Sequence, residues 1–263
     1  MERTQAEGRR RRYYRYAVGC LLLAGIIYGS TSCIYWRLNS FRAQLSKFTE
    51  YCSIEQRAGP TIVFKKPVLQ PGDLQWLVGI EPNEVVSDGD NQVETYLFRK
   101  MYANEEQRGQ EDGMYDFPLE IAYRDGLASS LMFPARIREL VKEDQMIEIF
   151  NDIDKAKIEA TGSTTSWQLG NSLDVPKYEV MLGFLGTPFL ETTNELHRVV
   201  HLRYQVATEV DPEGVVDSQS TLVYERMSGK LLWADIRLGY LFIHAKVGRG
   251  KKDTVTIKRV AKP

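Results

Sequence analysis

The sequence predicts an α+β protein: two tandem units, each a short helix followed by an antiparallel sheet, behind an N-terminal segment of different character. Three observations predict it. First, Gly79/Gly186, Leu97/Leu202, Leu119/Leu222 and Gly126/Gly229 recur in order at offsets of 103 to 107 residues, the mark of an internal repeat. Second, each copy opens with a helical stretch stopped by glycine and proline, PGDLQWLVGIEP (71–82) and PKYEVMLGFLGTP (176–188). Third, each continues into alternating, aromatic-rich runs of the kind that form half-buried strands.

Within the copies the first strands are VETYLFRKMY (93–102) and HRVVHLRYQV (197–206), followed by charged loops over 103–116 and 207–217. Second strands follow in FPLEIAY (117–123) and STLVYER (220–226), then glycine turns at Gly126 and Gly229, then third strands in LASSLMF and LLWADIRL. Upstream, Leu38, Phe41, Leu45 and Phe48 recur at steps of three and four and give residues 38–48 one apolar helical face, which packs on the body or lies on a membrane. Residues 52–57 and 61–65, separated by Ala-Gly-Pro, read as a strand pair. Between the copies, Ile137, Leu140, Val141, Ile147, Phe150 and Ile153 mark one or two helices over 134–157. The Ser/Thr-rich stretch 161–166 reads as a surface loop, and 240–247 with 254–260 as a closing hairpin around Gly248-Arg249-Gly250. The expected organisation is a signal or anchor over 1–33, a tether helix and first strand over 34–60, repeat 1 over 61–133, and linking helices with repeat 2 over 134–263.

The N-terminal segment reads as targeting. Residues 17–36 carry no charge and directly follow Arg9–Arg12 and Arg15, the order of a positive n-region and an apolar core. Only residues 17–28 are strongly apolar, whereas a spanning helix needs about 20 residues. The run then ends in Gly29, Ser30, Thr31, Ser32 and Cys33. This resembles the lipobox of bacterial lipoproteins, although Ser30 stands where that family usually has an aliphatic residue. The resemblance implies a diacylglycerol on the Cys33 thiol, cleavage before it and acylation (palmitate-type chains) of the new amino group. An uncleaved anchor through Trp36 and a buried core helix are the alternatives. Cys52 is then left alone, or bridges to Cys33.

The Leu185-Gly186-Thr187-Pro188 signature ahead of three strands with a glycine turn resembles the small outer-membrane assembly lipoproteins of the SmpA/OmlA (BamE-like) type. It is also similar to the tandem-repeat β-lactamase inhibitor protein fold. Val78-Gly79-Ile80-Glu81-Pro82 departs from the signature by one inserted residue. The resemblance implies envelope assembly or protein binding rather than catalysis.

Charge and motifs narrow the chemistry. Six arginines and two glutamates precede Cys33, leaving 28 basic and 33 acidic residues from there onward, so no nucleic-acid partner is expected. His197 and His201 share a strand face but stand roughly 13 Å apart at strand rise, too far for one ion. His244 reads as a strand residue. Asp88-Gly89-Asp90-Asn91 lacks the spacing of a calcium loop, and Gly248-Arg249-Gly250-Lys251-Lys252 that of a phosphate loop. Glu105-Glu106 and Glu111-Asp112 sit in a charged loop. Tyr96, Phe98, Tyr102, Tyr204, Tyr224, Trp233 and Tyr240 read as core. No catalytic residue, cofactor or metal is expected. Cys33 is the expected lipid attachment point. The expected protein is a membrane-anchored, non-enzymatic binding or scaffold module of the bacterial cell envelope, its body in the periplasm and its partner an envelope protein. The alternative is an envelope hydrolase whose catalytic residues are dispersed.

Overall fold

A computed structural model describes residues 34–152, 157–158, 164–169, 175–207, 214–248 and 252–260. The chain divides into two units, Met1–Ser40 and Phe41–Pro263. Cys33 and nearly all of the segment 17–36 lie outside the described residues, as does the Arg249–Lys251 tip of the last hairpin. Among the described residues no helix is long and apolar enough to cross a membrane.

In the larger unit the described strands form one antiparallel sheet. In chain order they are β1 (Cys52–Gln56), β2 (Pro60–Phe64), β3 (Glu84–Asp88), β4 (Asn91–Lys100), β5 (Phe117–Arg124), β6 (Leu127–Met132) and β7 (Lys157–Ile158). The second seven are β8 (Thr164–Gln168), β9 (Leu190–Thr193), β10 (His197–Val206), β11 (Ser218–Glu225), β12 (Leu231–Leu238), β13 (Leu241–Lys246) and β14 (Thr254–Arg259). Across the sheet the order is β1-β2-β6-β5-β4-β10-β11-β12-β13-β14-β8-β7, with β3 beside β4 and β9 beside β10.

This corrects the expected class. The chain is not α+β with two helix-plus-sheet repeats; its described residues are dominated by one 14-stranded antiparallel sheet with few, short helices. The reason lies at the strand edges. An unpaired edge leaves a row of N–H and C=O groups unsatisfied, and here β4 and β10 satisfy each other through Phe98↔Val206, Arg99↔Gln205 and Lys100↔Tyr204. The two segments therefore merge into one sheet. The helices α3 (Asp73–Val78) and α6 (Tyr178–Leu185) have six and eight residues; at 1.5 Å per residue that is roughly 9 and 12 Å, too short to cover a sheet face.

Local readings fared better than the class. β1 and β2 pair as expected, and β13 pairs with β14. That hairpin does not close the sheet, because β14 goes on to pair with β8, formed from part of the stretch read as a surface loop. The first charged loop holds a helix, α4 (Glu105–Glu111), whose N-cap Asn104 accepts from the Gln107 amide. In the linking segment a 3₁₀ turn (Ala135–Glu139) precedes α5 (Glu143–Asn151).

The apolar face upstream goes inward. Phe41 and Leu45, from the helix α1 over residues 34–45, join Phe48 of α2 (Phe48–Tyr51) against Cys52, Ile62 and Phe64. Cys52 is a free thiol, 2% exposed, and burial pushes its pKa up to about 11. A thiol protonated at neutral pH and shut from solvent is a poor nucleophile.

On β4 the inward positions alternate as Glu94, Tyr96, Phe98 and Lys100. Two of these carry charge, and both find partners. The Glu94 carboxylate accepts from the hydroxyls of Tyr96 and Tyr123 at 3.2 and 2.9 Å and from Gln92 at 3.0 Å. A buried carboxylate needs such donors, since without them it would stay out of the core.

Candidate binding groove

Each of the two short helices ends with carbonyl groups that no helical N–H reaches. In both, these carbonyls face a cation held against aromatic rings, an arrangement that suits the partial negative charge of a helix C-terminus. At α3, Arg259 from β14 donates to the Trp76 carbonyl at 3.0 Å and stacks over the Trp76 ring at 3.9 Å, with Tyr240 at 5.4 Å. The Tyr240 amide donates to the Val78 carbonyl at 2.7 Å, so the turn between β12 and β13 docks on the end of the helix.

At α6 the cation is Lys100. Its ammonium donates to the Leu185 carbonyl at 2.6 Å and to Glu111 at 3.3 Å, and lies over the rings of Tyr102 and Tyr115 at 4.9 and 4.7 Å. Glu111 also accepts from the Thr187 hydroxyl at 2.6 Å and the Thr187 amide at 3.1 Å. The Leu-Gly-Thr-Pro stretch is thus clamped to β4 and α4. Burial, with Arg136 nearby, lowers the Lys100 pKa to about 8, while Glu111 opposes the drop. For Glu111 itself burial raises the pKa, and the Thr187 hydrogen bonds and Lys100 outweigh it, so the net direction is down. Lys100 is 1% exposed; it is a structural cation, not an available nucleophile.

The α3 clamp frames an open groove of about 810 Å³. Trp76 and Tyr240 supply its aromatic walls, and Arg259, Glu81, Gln75 and Asp217 its polar rim. Gln75 donates to Glu81 at 3.1 Å, and Asp217 accepts from the Val206 amide at 2.8 Å. An aromatic cleft with a few convergent polar groups on fixed elements is the usual form of a binding site.

The residues singled out in the sequence do not converge on that groove, Tyr240 excepted. His197 and His201 lie on β10, and His201 Nδ1 stands 3.1 Å from the Thr221 hydroxyl. Asp88, Gly89, Asp90 and Asn91 make the turn between β3 and β4. Glu105 and Glu106 open α4. Among the described residues no group of three or more His, Cys, Asp or Glu is placed to hold a metal ion. Sequence reading missed the pair His244–Asp235, with Nδ1 and Oδ1 2.6 Å apart. The signal was present: a hairpin turning at Gly239-Tyr240 sets residue 235 opposite 244. It also missed Lys100, whose burial contradicts its residue type. Compared with protein families, with curated proteins and with solved structures, the chain matches none.

Proposed function

We propose that this protein is a membrane-anchored, non-enzymatic binding or scaffold module of the bacterial cell envelope. Its N-terminal segment holds it at the membrane through an acylated Cys33, and its body outside the cytoplasm seats an envelope protein partner. The observation that carries the reading is the α3 groove, an open aromatic cleft held between a helix end and the β12–β13 turn, with exposed Glu81 and Arg259 on its rim. The uncharged run behind the arginine cluster supports the anchoring.

Site-specific photocrosslinking tests the groove. A photoreactive residue at Glu81 should give a discrete adduct with one envelope protein in intact cells, and the same residue at exposed Glu55 on β1 should not. Equal adducts at both positions, or none at either, would remove the groove as the partner seat. Attachment is read separately. Cys33→Ser should abolish fatty-acid incorporation and leave an uncleaved precursor, because two or more acyl chains anchor a protein stably; an unacylated wild-type chain beginning at Met1 would instead establish the uncleaved anchor.

A further inference from the structure

Residues directly opposite on paired antiparallel strands share a face of the sheet. Reading the register across β10, β11, β12, β13, β14 and β8, one face carries a polar row that crosses all six strands: His201, Thr221, Asp235, His244, Thr256 and Ser166. The row on one side of it includes Trp233 and Lys246, and the row on the other includes Arg203, Arg237, Phe242 and Lys258. The opposite face is the apolar one, where Ile243, Ala245, Val255 and Ile257 pack with Leu169 and, from α5, Ile149. Helix α6 also lies on the apolar side, its Tyr178 ring 5.5 Å from that of Tyr224, a neighbour of Val223 and hence on the face opposite Trp233.

An antiparallel sheet normally has one wet face, but this one is biased in two ways. Its three rows carry four cations, Arg203, Arg237, Lys246 and Lys258, against the single carboxylate of Asp235, although acidic residues outnumber basic ones from Cys33 onward. Asp235 is moreover tied to His244 at 2.6 Å. Two large aromatics stand on the wet side, each beside a basic group: Lys258 lies over Phe242 at 5.7 Å, and Trp233 is opposite Lys246 with its ring 6.1 Å from that of His244. Five steps between strands make the platform roughly 24 Å long. That suits an extended chain rather than a small molecule.

We infer that this face binds an acidic polysaccharide, lying along the polar row. Its carboxylates would meet the flanking lysines and arginines, its ring hydroxyls the imidazole and hydroxyl groups of the central row, and its apolar ring faces Trp233 and Phe242. The choice of a glycan over a nucleic acid rests on the extracytoplasmic placement proposed above; the anionic, chain-like character of the ligand rests on the face itself.

The test uses full-length protein in mild detergent with fluorescent octagalacturonate as probe, and with a neutral maltooctaose, oligo(dT) and phosphatidylglycerol vesicles as comparison ligands. Octagalacturonate should bind, weaken about tenfold or more between 50 and 200 mM salt as released counterions require, and be lost at least tenfold in the Lys246→Glu, Lys258→Glu double variant. Trp233→Leu should weaken it several-fold. Lys66→Glu, an exposed change outside those six strands, should leave it unchanged. Thermal unfolding of each variant guards against misfolding. Equal binding of maltooctaose, indifference to the charge reversals, or binding to vesicles alone would overturn the inference. Tighter binding of oligo(dT) would overturn the choice of a glycan. Protease accessibility of the body in intact cells is scored separately, so a failed location leaves its own signature whatever the binding data show.

Discussion

Gly239→Ala is expected to lower the unfolding free energy by about 3 kcal/mol, combining backbone strain of about 1 kcal/mol with an overpacking penalty of about 2. Gly239 forms the turn between β12 and β13 with a φ of 51°. An added Cβ there would overlap the Val78 carbonyl oxygen and crowd Ile80 Cγ1 at 3.1 Å. That carbonyl cannot withdraw cheaply, because it accepts from the Tyr240 amide at 2.7 Å, and the Gly239 amide donates to the Asp217 carbonyl at 2.8 Å. The substitution therefore attacks the docking of α3 and the wall of the groove together. Gly126→Ala is the control, with a φ of 72° but nothing within 4 Å of the new Cβ, and should show the strain alone. Urea denaturation of both variants reads the difference; equal losses would mean that the helix end does not bear on the turn.

Lys100→Met is expected to destabilise the protein by about 2 kcal/mol at neutral pH, chiefly by leaving the Leu185 carbonyl and Glu111 without their buried donor. Its pH dependence distinguishes loss of the charge from loss of packing. The folded pKa of about 8 lies below the ordinary 10.5, so between those values the unfolded chain holds a proton that the native chain has released. Stability carried by this group therefore rises with pH from about 8 toward 10.5. Above about 10 the trend reverses, since burial holds the pKa of Tyr96 and Tyr123 well above the usual value and the unfolded chain then loses protons that the native chain keeps. Between pH 7.5 and 9.5 the wild type should gain about 2 kcal/mol relative to Lys100→Met. A constant difference across that range would show that the lysine keeps its proton in the fold, its pKa not lowered by burial.

How much was legible depended on the range of the interaction involved. Strand positions in β4, β5, β10 and β11 followed from alternation, a property of neighbours two residues apart. Glycine punctuation marked the ends of α3 and α6 for the same reason. The inward row of β4 shows where local rules begin to conflict: alternation places Glu94 and Lys100 inside with Tyr96 and Phe98, while their charge argues for the outside. Partners brought in by the fold resolve the conflict: the hydroxyl of Tyr123, 29 residues away, joins that of neighbouring Tyr96 on the carboxylate, and a helix-end carbonyl 85 residues away takes the lysine. The groove was illegible for a related reason, since Trp76 and Arg259 stand 183 residues apart and meet only after the sheet has formed.

By itself, then, the sequence determined the longer strands, the glycine turns between them and the uncharged segment behind the arginines, but not β3, β7, β8 or β9. Tertiary structure alone decided that the two landmark-sharing segments share one sheet. Strand formation depends on side-chain periodicity within a few residues, whereas the choice of neighbour depends on which open edges leave the fewest backbone groups unpaired. Pairing β4 with β10 met that condition here, and it carried the helix ends, their cations and the groove into place.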